Sequence, residues 1–212
     1  MALFITFEGG EGCGKSTQAR KLYHRLSKLA IPALLTHEPG GTPLGRKLRY
    51  WLKQTAELDI SPLTELLLFN ASRAQLLERV IKPALENGEI VICDRYADST
   101  TVYQSYARGL NREMVLAVNK AATGGLKPDL VILLDMPVAE GLARKENEKF
   151  DRFEQEDISF HQKVRAGFLE LAAREPERWL VVDATQPREK IAEIIWGRVS
   201  RLLAKEKRVS EG

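Results

Sequence analysis

The sequence is poor in cysteine, in net charge and in long apolar runs. Two cysteines, Cys13 and Cys93, are too few for a disulfide framework or a cysteine-based metal site, so we expect reduced thiols in a cytoplasmic protein. A net charge of only +3 gives no argument for a nucleic-acid partner, although small anionic substrates are compatible with it. No apolar run approaches the roughly 18 residues of a membrane span, so no membrane partner is expected.

Chain length and composition predict one globular domain over residues 1–212. Hydrophobic residues make up 44% and charged residues 29%, which is ordinary for such a domain. The first residues include no basic segment or cleavage site, so residues 3–7 are predicted as a strand and not as a signal peptide. The charged residues at about 205–212 are expected to form a flexible tail.

One stretch carries most of the functional information: Gly9-Gly10-Glu11-Gly12-Cys13-Gly14-Lys15-Ser16. It fits the G-x-x-x-x-G-K-[ST] pattern of a phosphate-binding loop, between an apolar strand and a helical stretch that continues from Thr17. Its glycines let backbone N–H groups turn toward phosphate oxygens, and the helix adds its positive N-terminal end. Lys15 would reach the β- and γ-phosphates, and the Ser16 hydroxyl would hold Mg²⁺. The predicted ligand is therefore a nucleoside triphosphate.

Short apolar runs alternate with longer helical stretches along the chain. The predicted strands are residues 3–7, 33–36, 90–93, 130–134 and 179–182. The predicted helices are residues 15–29, 43–54, 61–86, 112–123, 138–147, 155–174 and 187–204. Runs that are apolar on both faces suit a parallel sheet covered by helices. We therefore predict a three-layer α/β/α sandwich around a five-stranded parallel sheet, with ligands at the carboxyl ends of the strands.

Two groups of residues directly follow predicted strands, and each has two interpretations. Glu38, Pro39 and Thr42 belong to a Pro-Gly-Gly turn, which either lines a substrate pocket or only connects two elements. Asp94 and Arg95 follow the third strand, where the acid could hold Mg²⁺ and the arginine could neutralise phosphate charge. The alternative for these two residues is a structural ion pair.

Two further groups have the chemistry of a nucleoside pocket. Phe69 and Arg73 are four residues apart on a predicted helix and so share a face, where a ring could stack and a guanidinium could donate to a flat heterocycle. The alternative is a core phenylalanine beside an arginine paired with a carboxylate. A polar cluster follows the third strand and comprises Ser99, Thr100, Tyr103 and Gln104. These side chains could bond to a sugar or to the edge of a base, and the alternative is a solvated helix start.

A basic segment at about 142–153 is predicted as a lid that closes over the phosphates. Its basic residues are Arg144, Lys145, Lys149 and Arg152. Arg144 and Arg152 are the preferred catalytic candidates, and mixed charge on an exposed helix is the alternative. Asp135, after the fourth strand, is placed either as a metal-binding acid or as the cap of the next helix.

These motifs, in their order and spacing, resemble the thymidylate kinase family over nearly the whole chain. The matching stretches are residues 7–17, Glu38-Pro39-Gly40-Gly41-Thr42, residues 67–73, Asp94-Arg95-Tyr96, Ser99-Thr100, Tyr103-Gln104 and residues 126–129. The resemblance implies Mg²⁺-dependent transfer of a phosphoryl group from ATP to dTMP, giving ADP and dTDP for dTTP synthesis. It also implies a phosphate-loop nucleoside-monophosphate-kinase-like fold that is usually a homodimer.

The resemblance also implies a role for each matching position. Phe69 would stack on thymine, Arg73 would donate to its carbonyl oxygen, and Tyr103 would favour deoxyribose. Arg49 and Arg95 would contact the acceptor phosphate, and Glu11 would reach the sugar or the metal shell. Four residues would border the base: Ser99, Thr100, Thr101 and Gln104. Asp183, Ala184 and Thr185 would form the loop on the adenine side.

The same resemblance bears on the transition-state arginine. Family members supply it from the phosphate loop or from the lid, and Gly12 occupies the loop position, so a lid arginine is expected, as in the bacterial pattern. The alternatives are another phosphate-loop nucleoside monophosphate kinase or a deoxynucleoside kinase. A phosphate-loop switch or nucleic-acid ATPase is disfavoured by the near-neutral charge and by the lack of a guanine-reading Asn-Lys-x-Asp motif.

Overall fold

A parallel sheet forms the middle layer of the computed structural model, which describes residues 2–53, 59–145 and 151–210. Its strands are β1 (Leu3–Glu8), β2 (Ala33–His37), β3 (Ile90–Asp94), β4 (Leu130–Asp135) and β5 (Trp179–Asp183). They lie in the order β2-β3-β1-β4-β5, and every neighbouring pair is parallel. The predicted five-stranded parallel sheet is therefore confirmed.

Helices connect the strands and cover the sheet. They are α1 (Lys15–Lys28), α2 (Pro43–Lys53), α3 (Pro62–Leu76), α4 (Lys82–Glu86), α5 (Ala97–Thr100), α6 (Arg112–Thr123), α7 (Val138–Ala143), α8 (Ile158–Arg174) and α9 (Arg188–Ser210). Two π-helical segments continue α3 and α5, at Leu77–Ile81 and at Thr101–Ala107. Ser61 caps α3 by accepting a hydrogen bond from the Thr64 N–H, and Pro62 follows at the first helical position.

Alternating side chains of the strands pack into helices on both faces of the sheet. On β1, Ile5 and Phe7 join a core that includes residues of α1 and α9. Phe4 points to the other face, where it packs with residues of the π-helical segment Leu77–Ile81. A further cluster joins β4 to α8 on that face and includes Tyr103. This arrangement is the three-layer α/β/α sandwich that the sequence predicted.

Several predicted boundaries were wrong. Each strand runs one residue further than predicted, because the apolar run ends before a polar residue that still pairs in the sheet. The helical segment 97–107 was not predicted, because its polar side chains face buried partners and not water. The helix predicted for 138–147 ends at Ala143, and the last helix continues from the predicted end at 204 to Ser210, into the predicted tail. Within the described ranges, no helix is long and apolar enough to cross a membrane.

Candidate functional site

The carboxyl ends of the strands open into one continuous cleft with a volume of about 1040 Å³. Loops and helix N-termini meet at this edge of a parallel sheet, which is where such folds bind ligands. The volume lies just above the ~300–1,000 Å³ typical of a pocket for one small ligand. The cleft brings together most of the predicted site residues: residues 11–17, Glu38, Pro39, Arg49, Phe69, Arg73, Asp94, Arg95, Ser99, Thr100, Tyr103, Gln104, Arg144 and Ala184.

The phosphate-binding loop leads from β1 into α1. Gly14 adopts a left-handed conformation, with φ of 91°, directly before Lys15 begins the helix. The buried Lys15 side chain folds back over the loop, where its Nζ donates to the carbonyl oxygens of Gly9 at 3.1 Å and Gly10 at 2.5 Å. A bound phosphate group would compete with these two carbonyls for the ammonium protons.

Gly12 lies directly against the backbone of α7. Its φ is +68°, and a Cβ added there would lie 1.8 Å from the carbonyl oxygen of Gly141. Conversely, a Cβ on Gly141 would lie 2.4 Å from the carbonyl oxygen of Glu11. A side chain at residue 12 therefore requires α7 to move, which is a physical reason for glycine at this loop position.

The two predicted metal-binding residues meet at the start of α1. The Ser16 hydroxyl donates to Oδ2 of Asp94, the last residue of β3. A hydroxyl and a carboxylate are the hard oxygen ligands that Mg²⁺ prefers, and this ion usually completes its shell with water and substrate phosphates. The residues present therefore fit a magnesium ion at this position.

Arg95 and Glu11 form a half-buried ion pair beside the phosphate-binding loop. Arg95 Nη2 donates to Glu11 Oε1 at 2.6 Å, and the Tyr103 hydroxyl donates to the same oxygen at 2.8 Å. The Arg95 guanidinium also lies 5.2 Å from the centre of the Tyr103 ring. Burial favours the neutral acid, but the charges of Arg95 and Lys15 outweigh it and hold the pKa of Glu11 well below its usual range. Glu11 is therefore a carboxylate that fixes two other site residues.

Glu8, the last residue of β1, lies behind Arg95 and was not predicted as a site residue. It is fully buried and accepts hydrogen bonds from the Tyr96 N–H at 2.8 Å and the Ser99 hydroxyl at 2.5 Å. Ser99 Oγ in turn accepts a bond from Arg95 Nη1 at 3.2 Å. Arg95 has a φ of +71°, a region that favours glycine, and Glu8 holds the chain directly after it. The sequence feature that could have indicated this role is an acidic residue at the end of a largely apolar strand.

Phe69 and Phe153 form an aromatic corner at one end of the cleft. Their ring centroids are 5.7 Å apart and their planes are inclined by 57°. Both residues line the cleft, and Phe69 is half-buried. Phe153 was not predicted for the site, because nothing in its local sequence indicates that the end of the predicted lid segment packs beside Phe69.

Arg73 lies deeper and is almost completely buried. All five of its N–H groups have protein partners: Glu38 Oε2 at 2.8 Å, Asn70 Oδ1 at 3.1 Å, Asn119 Oδ1 at 2.9 Å, the Tyr96 carbonyl at 3.2 Å and Thr100 Oγ1 at 2.8 Å. As placed, Arg73 is paired with a carboxylate, as in the alternative interpretation. A base could therefore use one of its donors only by displacing a protein partner.

Arg49 of α2 brings a second guanidinium group to the cleft, in addition to that of Arg95. Its Nη1 donates to the Pro39 carbonyl oxygen at 3.1 Å, so the Pro-Gly-Gly turn positions it. Burial lowers the pKa of Arg49, and the neighbouring charge of Arg95 lowers it further. Two guanidinium groups held this close favour an anion between them.

The polar cluster after β3 divides between the cleft and the core. Ser99, Thr100 and Gln104 line the cleft, and Gln104 Nε2 donates to Glu65 Oε1 at 2.7 Å. Thr101 does not line it: its hydroxyl donates to the Ala97 carbonyl and accepts from Asn119 Nδ2. The helical period, which was not predicted for this segment, turns Thr101 away.

At the opposite end, Ala184 lines the cleft, but Asp183 and Thr185 are exposed and bond to each other. The wall beside Ala184 is completed by residues that the sequence did not predict for the site, among them Gln18, Gln186 and Arg188. Gln186 directly follows the predicted three-residue stretch and Arg188 is the first residue of α9, so the lining of the cleft continues into that helix.

The predicted lid residues have different placements. Arg144 lines the cleft, and its Nη1 lies 3.4 Å from the Ala184 carbonyl oxygen, while Lys145 pairs with Glu154 at 2.8 Å. Arg152 does not line the cleft; it donates to the Leu52 carbonyl oxygen and pairs with Glu65. Lys149 lies outside the described residues.

Asp135 takes neither of its two predicted roles. It accepts two hydrogen bonds from Arg165, at 2.7 and 2.8 Å, and does not line the cleft. The residue that precedes α7 is Pro137, and no side chain caps this helix. An arginine from α8, distant in sequence, therefore determines the role of Asp135.

Comparison with known proteins agrees with this geometry. The family profile described as thymidylate kinase matches residues 7–195. The thymidylate kinase of Dehalococcoides mccartyi (strain CBDB1) is 57% identical over 203 residues, covering 96% of this chain and 98% of that protein. The thymidylate kinase of Deinococcus radiodurans is 49% identical, with coverage of 93% and 96%.

A solved structure gives the same result. The crystal structure of thymidylate kinase from Ehrlichia chaffeensis superposes with a TM-score of 0.72 at 34% identity, covering 85% of this chain and 92% of that one. The family match extends over most of the chain and includes the phosphate-binding loop and the part of the cleft around Arg95 and Phe69. This chain therefore belongs to the thymidylate kinase family and is an ATP:dTMP phosphotransferase with the phosphate-loop kinase fold.

Proposed function

We propose that the cleft binds ATP at the α9 end and dTMP at the Phe69 end, with the phosphate-binding loop between them. The supporting observation is that one continuous cleft joins Ala184, the loop and Gln104. In-line phosphoryl transfer needs the two nucleotides to meet at their phosphates, and this arrangement places the loop lysine there. The chemistry needs no covalent intermediate, because an acceptor phosphate is already a nucleophile near neutral pH.

On the donor side, the loop backbone would hold the ATP phosphates and Lys15 would neutralise their charge. The proposed loop contacts are Gly9, Gly10, Glu11, Gly12, Cys13, Gly14, Lys15, Ser16 and Thr17. Ala184 would face the adenine, and Asp183 and Thr185 would support that turn through their mutual hydrogen bonds. Phosphate oxygens would replace the carbonyls of Gly9 and Gly10 as partners of the Lys15 ammonium group.

Ser16 and Asp94 would hold Mg²⁺, which supplies charge neutralisation at the transferred phosphoryl group when it is bound. Their direct hydrogen bond supports this assignment, because it places both oxygens at the phosphate end of α1. Asp94 is the last residue of β3 and pairs with Phe7 of β1, so the sheet fixes its position relative to the loop that follows β1.

On the acceptor side, Arg95 and Arg49 would bind the dTMP phosphate. Burial and the carboxylate of Glu11 keep Arg95 in one orientation, which lowers the reorganisation that transfer would otherwise require. Tyr103, held by Glu11, would pack against the sugar. The base would stack on Phe69 and be bordered by residues that line the cleft: Glu38, Pro39, Arg73, Ser99, Thr100 and Gln104. Thr101, which does not line the cleft, would only support this border through its hydrogen bond to the Ala97 carbonyl.

Arg144 is the lid arginine that we propose for the transition state. It lies at the cleft beside Ala184, so it can approach the phosphates by side-chain rotation. Arg152 could act directly only after leaving Glu65 and Leu52, so its proposed contribution requires movement of the lid segment at about 142–153. The proposed lid belongs to the single domain that we propose for residues 1–212.

Replacement of Lys15 by alanine tests the donor site. Lys15→Ala should lower turnover by several powers of ten, because the phosphate charge loses its main partner. The melting temperature should stay close to that of the wild type. Lys21→Ala is the matched control: Lys21 lies on the same helix, but its ammonium group pairs with Glu189 at 2.6 Å. Wild-type turnover in Lys15→Ala would contradict the assignment.

A substrate panel tests the acceptor site. We expect dTMP to be phosphorylated faster than dUMP, UMP or CMP, and thymidine not at all. CMP turnover above that of dTMP would favour another nucleoside monophosphate kinase, and turnover of thymidine would favour a deoxynucleoside kinase.

We also propose that the protein is a cytoplasmic homodimer. Three neighbouring helices expose large apolar side chains: Trp51 on α2, Leu63 and Leu67 on α3, and Leu116 on α6. Large apolar side chains exposed on neighbouring helices are typical of a protein interface, and a second copy is the occupant we propose. The two buried free cysteines, Cys13 and Cys93, are compatible with a reducing compartment.

A further inference from the structure

Gln104 is held by one end of its amide. It is 1% exposed and lines the cleft, and its Nε2 donates to Glu65 Oε1 at 2.7 Å. Its Oε1 accepts no hydrogen bond from any residue that the structure describes, and it is not among the fully enclosed polar atoms. Because the amide is planar, fixing its NH₂ group on Glu65 turns the carbonyl oxygen away from that residue.

Glu65 is fully buried, and both of its oxygens are occupied. Oε1 accepts from Gln104 and, at 3.3 Å, from Arg108 Nε. Oε2 accepts from Arg108 Nη2 at 3.4 Å and from Arg152 Nη2. All of these partners donate, so both oxygens of Glu65 act as hydrogen-bond acceptors. A flipped Gln104 would therefore place its carbonyl oxygen against a carboxylate and lose its bond.

We propose that Glu65 is a positioning residue that determines which base the acceptor site takes, by fixing the Gln104 amide with its carbonyl oxygen toward the base. That oxygen can accept from a ring N–H, which thymine and uracil carry at N3. Cytosine has a lone pair at N3 and would leave the two acceptors facing each other. A site built around one hydrogen-bond polarity discriminates strongly against the opposite one.

This inference rests on the base-binding role proposed above for Gln104. It adds that Glu65, held by Arg108, determines which end of the Gln104 amide faces the base. Neither Glu65 nor Arg108 needs to contact the substrate. It also explains the placement of Arg152, whose guanidinium completes the shell of Glu65 instead of lining the cleft.

The test compares kcat/KM for dTMP and dCMP. Glu65→Gln keeps the shape of the side chain but presents both a donor and an acceptor, so the Gln104 amide can flip. We expect the preference for dTMP over dCMP to fall roughly tenfold or more, mainly through the KM for dTMP, with the KM for ATP unchanged. Glu78→Gln, an exposed acid paired with Lys82, is the control and should leave both values unchanged.

A double-mutant cycle separates positioning from general damage to the fold. In a Gln104→Ala background, Glu65→Gln should not change the preference further, because the group that it positions is absent. If Glu65→Gln lowers the preference equally in both backgrounds, Glu65 does not act through Gln104 and the proposal is overturned. If Glu65→Gln does not fold, Glu65→Asp replaces it, because the shorter carboxylate withdraws from the Gln104 amide, and an unchanged preference in that variant overturns the proposal.

The same variants also show whether the proposed base-binding role of Gln104 is itself wrong. If Gln104→Ala leaves the preference for dTMP unchanged, Gln104 does not contact the base and the proposed acceptor site is wrong, together with this inference. If Gln104→Ala lowers the preference and Glu65→Gln does not, the acceptor site stands and only the positioning role of Glu65 is wrong.

Discussion

Glu8 illustrates how one buried residue links stability to the acceptor site. Its carboxyl group holds the Tyr96 N–H and the Ser99 hydroxyl, directly after the left-handed Arg95. Burial, together with the nearby charge of Asp98, raises the pKa of Glu8 from 4.5 to about 8. At neutral pH the folded protein therefore keeps a proton on Glu8 that the unfolded chain releases.

This difference predicts a pH dependence of stability. Between pH 4.5 and about 8 the native state binds more protons than the unfolded state, so the contribution of Glu8 to the unfolding free energy decreases as pH rises. The loss is complete above pH 8, with an upper bound on the order of 5 kcal/mol. Glu8→Gln should abolish this component, because the amide has no proton to lose.

Chemical denaturation of the wild type and of Glu8→Gln between pH 5 and 9 measures the effect. We expect the stability of the variant relative to the wild type to increase as pH rises across this range. A difference between the two proteins that does not change with pH would show that Glu8 titrates normally. Glu170→Gln is a control, since Glu170 is a partly exposed acid on α8 that bonds to Tyr106 and Arg174.

At the scale of elements, the phosphate-binding loop depends on α7. The backbones of Gly12 and Gly141 approach so closely that a Cβ on either residue would overlap the other segment. Gly141 precedes Arg144 by one helical turn, so the contact that shapes the loop also places the lid arginine. The shape of the loop therefore depends on where α7 lies, through a contact between backbone atoms alone.

Replacement of Gly141 by alanine tests this contact. The new Cβ would lie 2.4 Å from the Glu11 carbonyl oxygen, so loop and helix must separate. We expect turnover to fall on the order of 100-fold, the effect of displacing reacting groups by about 1 Å, and stability to fall by about 1–3 kcal/mol.

Gly197 in α9 provides the matched control, because a Cβ there would meet no atom within 4 Å. Gly197→Ala should leave turnover unchanged and stabilise the protein by up to about 1 kcal/mol, the difference in helix propensity. Equal turnover of the two alanine variants would show that the loop does not depend on its contact with α7.

At the scale of the whole molecule, the exposed apolar side chains are unevenly distributed. Leu67 is 51% exposed in the middle of α3, and its neighbours α2 and α6 add further apolar residues. The proposed homodimer would bury this surface. Leu67→Glu should therefore convert the dimer to a monomer, because a charge would be desolvated at the centre of the interface.

Sedimentation velocity of the wild type and of Leu67→Glu measures this prediction. Ile158→Glu is the control, because Ile158 is 58% exposed at the start of α8, away from the three helices. The control should sediment like the wild type. A monomeric wild type at tens of micromolar, or a dimeric Leu67→Glu, would contradict the proposed interface.

Local sequence determined the sheet, most helices and the phosphate-binding loop, because apolar periodicity and the glycine-lysine pattern act over a few neighbouring residues. The order and spacing of the motifs then identified the thymidylate kinase family. The segment 97–107 escaped prediction, since its polar side chains satisfy buried partners such as Glu8 and Glu65 that are distant in sequence.

Tertiary structure alone decided which polar residues reach the cleft. Asp135 turns to Arg165, Arg152 turns to Glu65, and Glu8 supports Arg95 from behind, in each case through a partner at least 30 residues away. A polar side chain withdrawn from water pairs with whichever counter-charge or hydrogen-bond partner the packing brings to it. The identity of that partner depends on how the chain folds back on itself, so the sequence determined the chemistry available and packing determined where it is used.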